Sequence, residues 1–136
     1  MKKHSLRTSF PLLILTLLLP FLLTACTPDP NEEYLQGIWE FANEAGEERS
    51  GKAHLFYRWQ FSDGTFYVEQ EIAMGKPLVS EGRYRILESE GDEIVLELFA
   101  VQGNFILSDP YELRVKIDRE NLTARFQKVL FNRIWP

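Results

Sequence analysis

From Gly37 onward, apolar and polar side chains exchange places at every second residue, the period of half-buried β-strands rather than of helices. Leu55, Tyr57, Trp59 and Phe61 alternate with His54, Phe56, Arg58 and Gln60. Ser62-Asp63-Gly64-Thr65 then supplies a tight turn, because Asp and Gly tolerate positive φ. On the return, Phe66, Val68, Gln70 and Ile72 share one side, and Tyr67, Glu69 and Glu71 take the other.

The rhythm survives each later corner. After Met74-Gly75-Lys76-Pro77, Gly82, Tyr84 and Ile86 oppose Arg83 and Arg85. After Glu90-Gly91-Asp92, Ile94, Leu96 and Leu98 face away from Val95, Glu97 and Phe99. A short apolar piece, Phe105-Ile106-Leu107, stops at Pro110, which cannot donate to a ladder. Tyr111, Leu113, Val115 and Ile117 then alternate with Glu112, Arg114 and Lys116; Asp118-Arg119-Glu120-Asn121 reads as a turn, and Leu122, Ala124 and Phe126 open the closing strand. No helical stripe of useful length interrupts this, and Pro30 to Gln36 has room for one turn.

The spacing predicts an all-β domain, an antiparallel up-and-down meander of seven or eight strands. One apolar face per strand makes closure into a small barrel the expected outcome, since closure buries that face and leaves no unpaired edge. Tyr57, Trp59, Phe61, Phe66, Tyr84, Leu96, Leu98, Leu113 and Phe126 are the expected interior.

Ahead of the strands, Met1-Lys2-Lys3-His4-Ser5-Leu6-Arg7 is a basic start to an apolar run from Phe10 to Leu23. The run is short of the roughly 20 residues a membrane span needs and is broken by Pro11 and Pro20, the layout of an export signal. Leu23-Thr24-Ala25-Cys26 resembles the lipobox of bacterial lipoproteins. Over residues 1 to 26 that resemblance implies cleavage before Cys26 and a diacylglyceryl group on its thiol. Cys26 is the only cysteine, so no intramolecular disulfide can form, and lipidation accounts for a thiol otherwise left reactive outside the cell. The expected division is a signal over residues 1–25, a lipidated cysteine and extended Pro- and charge-rich tether over 26–33, and the barrel over 34–136. The implied location is the cell envelope, anchored to a membrane outside the cytoplasm. Thr27, rather than Asp, after Cys26 leans towards the outer membrane where two membranes exist.

Gly37-Ile38-Trp39 at the first strand resembles the G-x-W signature of lipocalin-like barrels. The resemblance implies that Trp39 packs at the closed end beneath an arginine from the last strand, a role open to Arg133, and that the barrel binds a small apolar ligand. Ten Phe, five Tyr and three Trp are equally able to fill so narrow an interior. An open cavity and a filled core both fit the composition.

The charge balance and the inventory of reactive side chains exclude several functions. The chain carries a net charge of −5, and loss of Lys2, Lys3 and Arg7 with a signal makes the remainder more acidic, which argues against a nucleic-acid partner. His54 is the only histidine beyond the signal, so any triad must use it; at a strand start beside Lys52 it reads as a surface residue, and no enzyme is expected. Zinc needs several Cys or His ligands, and Glu69, Glu71 and the acids from Glu88 to Glu93 read as solvated charge, so no metal or cofactor is expected. Phe56, Tyr67, Val95 and Phe99 fall on outward faces, where they form a partner patch or lie under Arg58, Arg83 and Arg85 through cation–π contacts. Asn121-Leu122-Thr123 fits a glycosylation pattern, but the lipobox makes Asn121 a turn residue. Two functions follow: a membrane-tethered lipocalin-like protein that binds a small apolar ligand, or a non-enzymatic interaction or structural lipoprotein that holds an envelope protein around a filled core.

Overall fold

The structure is a computed structural model and describes residues 27–41, 56–72 and 75–135. A short helix, α1 (Pro30–Leu35), precedes eight strands: β1 (Gly37–Phe41), β2 (Tyr57–Ser62), β3 (Thr65–Gln70), β4 (Leu78–Glu90), β5 (Glu93–Gly103), β6 (Tyr111–Asp118), β7 (Thr123–Phe126) and β8 (Val129–Trp135). Each strand pairs antiparallel with the next and β8 pairs back onto β1, so the meander closes into an eight-stranded up-and-down barrel.

The alternation that predicts the strands also selects their inner face. In the β2–β3 hairpin, Asp63 (φ 46°) and Gly64 (φ 77°) form the two positive-φ positions of a turn whose twist matches the strands it joins. The resulting register sets Phe61 opposite Phe66 and Trp59 opposite Val68, and all four are buried together. On β6, Leu113, Val115 and Ile117 are buried while Glu112, Arg114 and Lys116 are exposed. Register shifts between Glu81 and Arg83 and between Ile86 and Glu88 mark two bulges on the long β4–β5 pair. Val95, expected outward, is only 6% exposed yet stands apart from the core cluster, flanked on the outer wall by its cross-strand neighbours Glu88 and Arg114.

Two expectations need correction. The tether is not extended through residue 33, because Pro30 starts α1. Asp29 caps the helix, its Oδ1 accepting from the N–H groups of Asn31 (2.9 Å) and Glu32 (3.1 Å), and proline suits a first turn whose N–H has no intrahelical partner. The closing strand, in turn, is two strands. Leu122, expected to begin the closing strand, instead ends the preceding turn at φ 55° and is 54% exposed; the chain turns again at Gln127 (φ 56°) and Lys128. Gln127 is held there by bonds from its N–H to the Arg114 carbonyl (2.7 Å) and from Nε2 to the Glu112 carbonyl (2.8 Å).

Strand direction gives the barrel two unlike ends. The β2–β3, β4–β5 and β6–β7 turns gather with α1 at the closed end, and the 104–110 segment and the β7–β8 turn form the mouth. The ladder closes between β1 and β8 and the core is continuous from Leu35 to Phe131, so the described residues form one closed barrel around a single core.

Candidate functional site at the barrel mouth

The closed end is sealed. Leu35 of α1 is fully buried, and its carbonyl accepts from the Trp39 indole Nε1 at 2.9 Å. Arg133 of β8 lies opposite Trp39, its guanidinium 5.9 Å from that ring and 4.4 Å from the Tyr34 ring, and it donates to the Gln36 carbonyl at 3.1 Å. Asn31 latches α1 to the barrel. Its Nδ2 donates to Ser89 Oγ (3.0 Å) and to the carbonyls of Gly91 and Glu93 (both 3.3 Å), while its Oδ1 accepts from Arg119 (2.5 Å). Tyr84 completes the seal, accepting from Gln36 Nε2 (2.6 Å) and donating to Glu32 (3.2 Å).

Above this seal the interior is filled with rings. Trp59 and Phe61 stack with their planes 3° apart, and Phe126 meets Trp39, Trp59, Phe61 and Phe131 at 5.6, 5.7, 5.8 and 4.9 Å between centroids. Such pairs each add about 0.5–1.5 kcal/mol beyond the area they bury. Of the expected interior residues, Trp59, Phe61, Phe66, Tyr84, Leu96, Leu98, Leu113 and Phe126 are buried; Tyr57 is half-buried because it sits at the mouth.

That mouth opens as a cleft of about 630 Å³. Its walls are apolar, with Phe105, Ile106 and Leu107 from the 104–110 segment on one side and Leu113, Phe126 and Val129 on the other. Tyr57, Trp59, Ser108, Tyr111 and Gln127 add polar groups. Burial pushes the Tyr57 phenol above its ordinary range; the neighbouring Trp59 N–H opposes this and Tyr111 adds to it, so Tyr57 stays a neutral O–H group. The Trp59 N–H, although close to Tyr57, meets no partner at hydrogen-bond geometry. Gln127 Nε2 reaches Tyr111 at 3.5 Å. Apolar walls with a few polar groups converging on them are the usual make-up of a small-molecule site.

The wall formed by residues 104–107 is pinned by a residue the sequence reading passes over. Ser80, fully buried on β4, accepts through Oγ from the N–H groups of Phe105 (3.0 Å) and Ile106 (2.9 Å). Asn104 adds a reciprocal pair with Val79, its N–H donating to the carbonyl (2.7 Å) and its Oδ1 accepting from the N–H (2.8 Å). Ser80 lies in phase with Gly82, Tyr84 and Ile86, so a polar residue at an inward position was the signal available.

Other concavities, of about 590 and 600 Å³, lie against the outer wall, one beside Gly82 and one beside the β6–β7 turn among Asp92, Lys116, Asp118 and Arg119. On that wall Arg58 covers Phe56 at 4.3 Å, and Arg83 and Arg85 both lie 5.7 Å from the Phe99 ring, the arrangement in which guanidinium groups cover outward rings. Among the described residues no group of three His, Cys, Asp or Glu is placed to hold a metal ion. Leu23, Thr24, Ala25, Cys26 and His54 lie outside the described residues. The chain matches no protein-family model, and comparisons with curated proteins and with solved structures give no significant match.

Proposed function

We propose that this chain is a lipid-anchored envelope protein whose barrel binds a small apolar molecule at its mouth. The observation that carries the reading is the cleft itself: aromatic and aliphatic walls, a floor of Trp59 and Phe126, and polar groups confined to one neighbourhood. An eight-stranded barrel is wide enough for its side chains or for one small ligand. Here the rings occupy the closed half and the ligand takes the open half. The lipobox-like Leu23-Thr24-Ala25-Cys26 supports the anchor. Cys26 precedes Asp29 by three residues, a reach of about 10 Å, so a lipid there holds the closed end to the bilayer and turns the mouth away from it.

N-phenyl-1-naphthylamine, a neutral fluorophore that brightens in apolar surroundings, tests the binding half. Titrated against residues 27–136, it is expected to saturate at one site per barrel and to lose that site in Leu113→Trp, which fills the cleft. Linear, unsaturable fluorescence would end the reading. The anchoring half requires that radiolabelled palmitate enter the full chain in bacteria and fail to enter Cys26→Ser.

A second reading, an interaction protein that holds another envelope protein, is favoured by Leu107, an apolar side chain 89% exposed at the rim. A photocrosslinking residue at position 107 would then trap one discrete partner in cells, whereas a ligand-binding barrel gives none.

A further inference from the structure

The Trp59 indole N–H has no hydrogen-bond partner although its atom is buried and the residue is only 3% exposed. Few native structures leave such a donor unpaired, because the desolvation of an unmet N–H costs about 1–3 kcal/mol. The contrast with Trp39 is direct. That indole, equally buried, donates to the Leu35 carbonyl. Trp59 lines the mouth cleft, and the rings beside it there, Tyr57 and Phe105, are only half-buried. A bound molecule reaches the N–H only where one of these two rings turns aside.

The cleft also has a definite electrostatic character. None of the described residues that line it is charged, so these walls offer an anionic headgroup no cation. A carboxylate taken from water into such walls would keep its charge without a counterion, which is costly. A neutral oxygen acceptor would instead satisfy the unpaired Trp59 N–H, while the rest of the molecule packs against Phe105, Leu113 and Phe126.

We infer that the ligand is a neutral, largely apolar molecule carrying a carbonyl-type oxygen, and that this oxygen accepts a hydrogen bond from Trp59 Nε1. The inference rests on the apolar-ligand reading above and sharpens it to a chemical class.

Acetophenone and ethylbenzene have nearly the same shape and differ in the acceptor; benzoate supplies the charged counterpart. With residues 27–136, acetophenone is expected to bind roughly three- to tenfold more tightly than ethylbenzene, the usual worth of one hydrogen bond to a buried donor. Benzoate is expected to bind more weakly than either. In the NMR spectrum one indole N–H resonance, that of Trp59, should move downfield with acetophenone and not with ethylbenzene, and Trp59→Phe should equalise the two affinities. Equal affinities for the wild type would overturn this inference and leave apolar binding standing; failure of both to saturate would overturn the apolar-ligand reading itself. Benzoate binding more tightly than acetophenone would also overturn it. Should Trp59→Phe fail to fold, the indole resonance of the wild type decides the matter without it.

Discussion

Phe126 is buried against four other rings, so truncating it removes packing from all four at once. Phe126→Ala should cost about 3–5 kcal/mol in urea denaturation, a large share of the roughly 5–15 kcal/mol that holds a domain together. Asp29 acts through charge. Burial raises its carboxyl, but bonds from Ser89, Glu32 and Asn31 and the charge of Arg119 together outweigh burial and bring it below its ordinary 3.8. A carboxyl lowered on folding stabilises above its unfolded value, and that contribution is lost as pH falls through the folded one. Asp29→Asn keeps a capping oxygen and removes the charge. The variant should therefore be less stable than the wild type at pH 7 and indistinguishable from it near pH 2, as urea midpoints at the two values will report; a deficit that persists in acid would assign the effect to something other than ionisation.

At the scale of elements, the 104–107 wall depends on two positions in β4 and β5. Ser80→Ala leaves the buried Ile106 N–H without an acceptor and the Phe105 N–H with only its longer bond to the Val79 carbonyl (3.3 Å); it should destabilise the barrel by about 1–2 kcal/mol while weakening binding at the mouth, seen as a raised Kd for N-phenyl-1-naphthylamine. Gly103 has φ 119°, and a Cβ there would stand 2.1 Å from the Val79 carbonyl oxygen. Gly103→Ala should accordingly lower the melting temperature by several degrees or more and displace the same wall. The strands themselves were legible because burial and alternation coincide: β6 reads inward and outward without a fault, and Asp63-Gly64 announces its hairpin. The exceptions have physical causes. The Gln127 turn lacks the glycine or asparagine that marks positive φ and is held by bonds to residues 112 and 114, distant in sequence. α1 is too short for a helical stripe, and what docks it is polar: Asn31 reaches Ser89, Gly91 and Glu93, partners that appear only once the barrel has closed. The mouth was half-legible. Alternation places Trp59, Leu113 and Phe126 in the interior, but their position beside an open cleft depends on how far the rings below fill the barrel.

On the scale of the whole molecule, closure creates two ends of different character. A sealed end gathers α1, Trp39 and Arg133, and an open end gathers Tyr57, Phe105 and Tyr111. An anchor at Cys26 predicts which end meets the lipid. Trp135, 66% exposed at the closed end, should be quenched by brominated lipid in vesicles bearing the anchored protein, and Trp135→Phe should abolish most of that quenching. Strong quenching that survives the substitution would place another part of the barrel against the bilayer. The proposed function requires that a ligand be held at the mouth. Amide resonances of residues 27–136, followed as N-phenyl-1-naphthylamine is added, test it most directly: saturable shifts should concentrate at residues 104–113 and 126–129. Shifts confined to the closed end around Asn31, Trp39 and Arg133, or to the outer wall around Gln60, Thr65 and Arg83, would contradict it.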